Sequence, residues 1–169
     1  SPIGCANKGS LVDLRPDDMS AQILKALMEK APQVQASDVN DLMWGIGQPA
    51  GEGGFNIARV ISILAGFDDI PGVTVNRYCS SSLQTMRMAF HAIKAGEGDC
   101  FIAGGVETVS RYMSGASDSA PNPIFKGPGE RTKARAGGGQ GTWTPPEGLP
   151  DVYIAMGQTA ENVVEVEGI

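Results

Sequence analysis

Histidine is almost missing from this chain: His91 is the only one in 169 residues. Cysteine is sparse too. Cys5, Cys79 and Cys100 lie far apart, with no CxxC and no metal-type spacing. The pattern argues against a zinc site and for free thiols in a reducing compartment. No apolar run approaches the length of a membrane span, and no signal-peptide pattern opens the chain. With free thiols, these absences make the cytoplasm the expected location. Positive charge is in deficit. A formal net charge of −6 argues against nucleic acid as the main partner. No GxxxxGK[ST] occurs, which removes a P-loop. Gly45-Ile-Gly47-Gln-Pro-Ala-Gly51 has the wrong glycine spacing for a dinucleotide fingerprint, and Pro49 stands where a helix should start. There is no internal repeat.

What remains is ordinary globular material, 41% hydrophobic and 19% charged, enough for one core-bearing domain or a domain plus an excursion. Pro16-Asp17-Asp18 opens a helix with acidic residues suited to its start. Met19, Ile23, Leu24, Leu27 and Met28 then recur at helical spacing, and Pro32 ends the run. Asp41 to Ile46 reads as a short buried strand. Asn56 is placed to cap a second helix with Ile57, Val60, Ile61 and Leu64 on one face and Gly66 after it. Pro71-Gly72 turns into a strand from Val73 to Val75. A third helix begins at Cys79, with Leu83, Met86, Phe90 and Ile93 as its apolar stripe and Gly96 at its end. Asp99 to Gly105 reads as another buried strand. This alternation predicts an α/β layered sheet. Residues 112–150 are rich in Gly, Pro, Ser and Thr, which predicts a long functional or mobile loop. A last helix is expected over Thr159 to Glu167.

Cys79 is the chemical focus. In Val73-Thr-Val-Asn-Arg-Tyr-Cys79-Ser-Ser-Ser-Leu83 a β-branched run ends and a helical pattern begins. A thiol near a helix N-terminus faces unpaired N–H groups and the positive end of the helix dipole, which favour the thiolate. A buried, inert thiol is the other reading of any free cysteine; Ser80-Ser81-Ser82, small and polar, weighs against it. Cys5 near the N-terminus and Cys100 in a strand are expected to be structural. Acyl transfer on sulfur also needs a proton acceptor and an oxyanion hole. His91 cannot serve as the acceptor. On a shared helix, twelve positions place it about 18 Å along the axis and about 120° around from Cys79. Lys126, Arg131, Lys133 and Arg135 form a basic cluster that fits either ligand phosphates or a solvated surface.

The segment Val75-Asn-Arg-Tyr-Cys79-Ser-Ser-Ser-Leu-Gln84 resembles the thiolases, the acetyl-CoA acetyltransferase and 3-ketoacyl-CoA thiolase family. Ser1-Pro2-Ile3-Gly4 is similar to the family's "R-T-P-I-G" opening, and Gly51 to Arg59 to the stretch ending N-x-A-R. Ala103-Gly-Gly-Val-Glu-Thr-Val-Ser-Arg111 is similar to "A-G-G-x-E-x-M-S-R", and Met156-Gly-Gln-Thr-Ala-Glu-Asn-Val163 to "M-G-x-T-A-E-N". The fit is weakest over 112–150. The resemblance implies a layered fold of two similar α/β halves, each a five-stranded mixed sheet with helices on both faces. Residues 1–111 would be the N-terminal core domain lacking its first strand, and 112–169 the start of the loop domain that covers coenzyme A.

The resemblance also implies chemistry. Cys79 would take up the acyl group, Met156 would contact substrate, and coenzyme A thioesters would be substrates with no further cofactor and no metal. Assembly would be a homodimer or homotetramer. Ala155 stands where biosynthetic members often carry histidine. The family's G-H-P histidine, N-E-A-F asparagine and C-x-G cysteine have no counterpart in these 169 residues. The chain starts without methionine and stops just after a helical pattern, so a piece of a longer protein is expected. Two other readings stay open: a β-ketoacyl synthase, which also uses a Cys-Ser-Ser-Ser-Leu run, and a non-catalytic thiolase-like protein that binds acyl-CoA or lipid. The Val106-Glu107…Ser110-Arg111 and Met156…Asn162 motifs favour the thiolase over the synthase.

Overall fold

The structure is a computed structural model and describes residues 9–114, 117–126, 130, 134 and 149–169. Two compact units divide the chain, residues 1–117 and 118–169. The first holds a sheet of three strands, β1 (Asp41–Gly45), β2 (Gly72–Val75) and β3 (Phe101–Gly105), in the order β2-β1-β3. All three run parallel, with Leu42 opposite Gly72 and Ile102. The resemblance implied a mixed sheet of five strands; the described residues contribute these three parallel ones.

Alternation along β1 sends side chains to two layers. Leu42, Trp44 and Ile46 pack with Leu24 of α1 (Pro16–Lys30) and with Ile57 and Ile61 of α2 (Ile57–Leu64). Met43 joins Ala89 and Ala92 of α3 (Ser81–Ala95), with Val73, Phe101 and Ala103 beside them. Helices therefore cover both faces of the sheet, as the resemblance implied. Leu24, Leu42, Ile57, Ile61 and Ile70 are fully buried. Each contributes at most about 1.5–3 kcal/mol by leaving water.

Several local readings need correction. Asn56 does not cap α2: it has φ 54° and no side-chain cap bond. Its Nδ2 donates to Gly72 O at 2.8 Å and its Oδ1 accepts from Thr74 Oγ1 at 2.8 Å, so it ties the chain to β2. Thr74 Oγ1 in turn accepts from Ala58 N–H at 3.3 Å, so a first-turn N–H of α2 is met from the sheet. Gly66 does end α2 in the left-handed region, at φ 81°. Its N–H reaches Ile63 O and that of Phe67 reaches Ser62 O, both at 2.9 Å, which closes the last turn.

The apolar stripes of two helices also differ from expectation. On α1 the buried residues are Pro16, Asp17, Ser20, Ala21 and Leu24, while Ile23 and Leu27 are exposed. On α3 the sheet-facing residues are small: Ser81, Thr85, Ala89 and Ala92. Leu83, Met86, Phe90 and Ile93, expected to be its buried stripe, are 46–65% exposed. The reason is close approach. A Cβ on Gly45 of β1 would lie 2.6 Å from the carbonyl carbon of Ser81, so only small side chains fit between α3 and the sheet.

The second unit contains α4, Met156–Glu167, which begins three residues before the helix expected from Thr159. Phe125 and Tyr153 meet edge to face at a centroid distance of 5.6 Å, and Tyr153 Oη accepts from Asn122 N–H at 3.1 Å. Among the described residues, no helix is long and apolar enough to cross a membrane.

Candidate active site

The ladders overrun the strand ends. Ile46 N–H donates to Val75 O at 3.0 Å and Val106 N–H to Gly45 O at 2.9 Å. These bonds bring together the loops that leave the C-terminal ends of the three strands, where open parallel sheets form their clefts. The cleft here has a volume of about 390 Å³ and is lined by all three loops and by the start of α3. Gly45, Gly47 and Gly105 line it without side chains, and Tyr78, Cys79, Ser82 and Glu107 bring it functional groups.

Cys79 sits in a 3₁₀ turn, Tyr78–Ser80, immediately before α3 rather than in its first α-turn. Its thiol is free and exposed. The turn is clamped from both sides. Ser81 Oγ donates to Tyr78 O at 2.6 Å and accepts from Arg77 N–H at 2.9 Å. Asn76 Oδ1 accepts from Tyr78 N–H at 2.9 Å, and Arg77 Nη1 donates to Gln84 Oε1 at 2.7 Å. The clamp matters because Tyr78 is held at φ 46°, a left-handed conformation that costs a non-glycine residue about 1–2 kcal/mol.

The loops around Cys79 are themselves cross-linked. Glu107 Oε2 accepts from Gly47 N–H at 2.6 Å, joining the loop after β3 to the loop after β1. Arg111 grips Glu52 with two bonds of 2.6 Å, Nε to Oε2 and Nη2 to Oε1. Arg15 adds a third contact to Glu52 at 3.3 Å, and Arg111 Nη1 donates to Val12 O at 3.0 Å. The Arg111 bond, more than burial opposes it, holds the Glu52 carboxyl below its usual 4.5. A carboxyl with a lowered folded pKa stabilises the fold fully above its unfolded value, and that stability is lost as pH falls through the folded one. Glu52→Gln is therefore expected to lower the urea midpoint near neutral pH, with the gap closing below about pH 4.5. A gap that stays constant from neutral pH to well below that value would count against the pair.

The other residues singled out from the sequence fall elsewhere. His91 is exposed on α3, its ring 5.6 Å from that of Phe90. Cys100 is half-buried against the core. Met156 is the exposed first residue of α4, in the second unit. Lys126 is exposed and lies 3.8 Å from Glu130. Arg131, Lys133, Arg135 and Cys5 lie outside the described residues. Sequence reasoning passed over the roles of Asn76, Ser81, Glu52 and Glu107. Glu107 and Arg111 were visible only as members of a motif.

A family model described as thiolase, N-terminal domain, matches residues 1–169. The chain belongs to the thiolase family. It is 35% identical over 170 aligned residues to a 3-ketoacyl-CoA thiolase of Bacillus subtilis, covering 100% of this chain and 38% of that protein. It is 46% identical over 123 residues to a beta-ketoadipyl-CoA thiolase of Pseudomonas knackmussii, covering 71% of this chain and 30% of that protein. The matched stretches thus span 38% and 30% of the lengths of these two thiolases.

Proposed function

We propose that the protein is an acyltransferase of the thiolase type that carries an acyl group on Cys79. The observation that supports this most is the free, exposed thiol in a cleft at the ends of three parallel strands, directly before the N-terminus of α3. In the degradative direction the Cys79 thiolate would attack the keto carbonyl of a 3-ketoacyl-CoA. The carbon–carbon bond then breaks, the acyl group stays on sulfur, and the departing acetyl-CoA carbanion takes a proton. Coenzyme A thiol attacks the acyl-cysteine, gives up its proton, and releases acyl-CoA with Cys79 regenerated. Synthesis runs the same steps backward by microscopic reversibility; the exchange of the acyl group between Cys79 and coenzyme A is a thioester exchange and nearly isoenergetic.

His91 is on the wrong part of α3 to act as base, so activation of the thiol falls to a group beyond these 169 residues, or else to a carboxylate or water. Coenzyme A thioesters would be the substrates, with Met156 contacting them and residues from 112 onward beginning the cover over coenzyme A. No added cofactor is required by this chemistry. A homodimer or homotetramer in the cytoplasm completes the reading.

The test is acyl mapping. The full-length protein is incubated with acetoacetyl-CoA, quenched in acid and digested, and the cysteine peptides are weighed. An acetyl adduct on the Cys79 peptide is expected. An adduct on Cys5 or Cys100 with none on Cys79 would sink the assignment.

A further inference from the structure

We infer that Glu107 is a positioning residue for Cys79, acting through Gly47 and the Tyr78 backbone. The inference rests on the proposed role of Cys79 and adds a group to it. Glu107 belongs to the loop after β3, yet its Oε2 accepts from Gly47 N–H in the loop after β1, at 2.6 Å. Both residues line the cleft that holds Cys79. A bond from N–H to a carboxylate is among the stronger hydrogen bonds available to a protein. The Cβ side of Gly47 faces both the Glu107 carboxylate and Tyr78. A Cβ built on it would lie 2.7 Å from Glu107 Oε2 and 3.5 Å from Tyr78 Cα. Gly47 is thus bonded to the Glu107 carboxylate and lies against the backbone of the residue that precedes Cys79.

That backbone is the strained one, at φ 46°. A left-handed tyrosine persists only where its surroundings over-determine it. Asn76 and Ser81 hold it from along the chain. Gly47 packs against it from the loop after β1, and the bond to Glu107 keeps Gly47 there. Without the carboxylate, the loop after β1 can recede, Tyr78 can relax, and the sulfur of Cys79 swings away from its place before α3. The role requires an acceptor oxygen for Gly47 N–H and does not require negative charge.

The experiment compares wild type with Glu107→Ala, Glu107→Gln and Gly47→Ala in the full-length protein. Iodoacetamide labels the thiols, and mass spectrometry follows Cys79 with Cys100 as internal reference. Glu107→Ala is expected to slow Cys79 labelling about 10-fold relative to Cys100, since small misplacements of a reacting group are costly. Glu107→Gln, whose amide oxygen can still accept from Gly47, is expected to stay within about 3-fold of wild type. Gly47→Ala pushes the carboxylate aside while keeping its charge, and should slow labelling as Glu107→Ala does. It decides the matter if Glu107→Ala does not fold. Equal effects of Gln and Ala would show that charge, and not the bond, is at work and would overturn the inference. An unchanged Cys79 rate in Glu107→Ala or Gly47→Ala would do the same. Labelling needs no acyl-CoA, so these outcomes stand whether or not acetoacetyl-CoA acylates Cys79.

Discussion

Cys79→Ala is expected to reduce thiolysis of acetoacetyl-CoA by more than about 10³-fold, the scale on which removal of a covalent nucleophile is felt. Stability should change little. The side chain is exposed, and the bonds that shape its turn come from Asn76, Arg77, Tyr78 and Ser81. An exposed substitution of this kind falls within about 0.5 kcal/mol. Activity and stability therefore separate, and a urea titration run beside the assay checks that they do. Cys100→Ser is the matching control, because Cys100 is half-buried against the core and its backbone N–H is held by Asn40 Oδ1 at 3.0 Å. It is expected to cost stability and to keep most of the activity. If Cys79→Ala retains activity within about 10-fold of wild type, the covalent mechanism on this residue is wrong.

Gly45→Ala is expected to lower stability by about 2–3 kcal/mol, as overpacking of a tight interior does. The new Cβ would lie 2.6 Å from Ser81 C, 2.8 Å from Ser82 N and 2.9 Å from Ser81 Cβ. Two of these atoms are backbone in the first turn of α3, so no side chain can rotate away and the helix itself must lift. Ser81 Oγ is bonded to both Arg77 and Tyr78, so the lift passes to the turn that carries Cys79. The variant should therefore lose both stability and Cys79 reactivity. Gly66→Ala provides the contrast. Its cost, about 1 kcal/mol, comes from the left-handed φ of 81° alone, since nothing lies within 4 Å of a Cβ there. It should leave Cys79 labelling unchanged. Urea midpoints and iodoacetamide rates on the two variants make the comparison. Gly45→Ala with wild-type stability would show that α3 does not rest on β1 at this point.

The parts of the fold most legible in the sequence were those set by short-range pattern. The apolar run at 41–46, the β-branched run at 73–75 and the glycines at 66 and 96 each correspond to an observed strand or helix end. Cys79 was legible for a similar reason, since a strand-to-helix junction is a local event. The exclusion of His91 needed only helix geometry, and its exposed place on α3 agrees with it.

Other features depended on what lies across the sheet. Helical spacing picked out Leu83, Met86, Phe90 and Ile93, but periodicity cannot say which face meets the sheet. Gly45 and Thr85 decide that by drawing α3 in close, with Thr85 Oγ1 donating to Gly104 O at 3.1 Å. Asn56 has the composition of a cap, yet β2 offers its side chain two better-placed partners. Glu107 and Gly47 are sixty residues apart, and Glu52 and Arg111 are separated by fifty-nine. By itself, then, the sequence determined the succession of strands and helices, the family, and the thiol at a helix start, because each is carried by neighbouring residues. The tertiary structure alone decided which helix faces pack and which distant carboxylates brace the loops around Cys79. Those choices follow from distances between strand ends that no local spacing records.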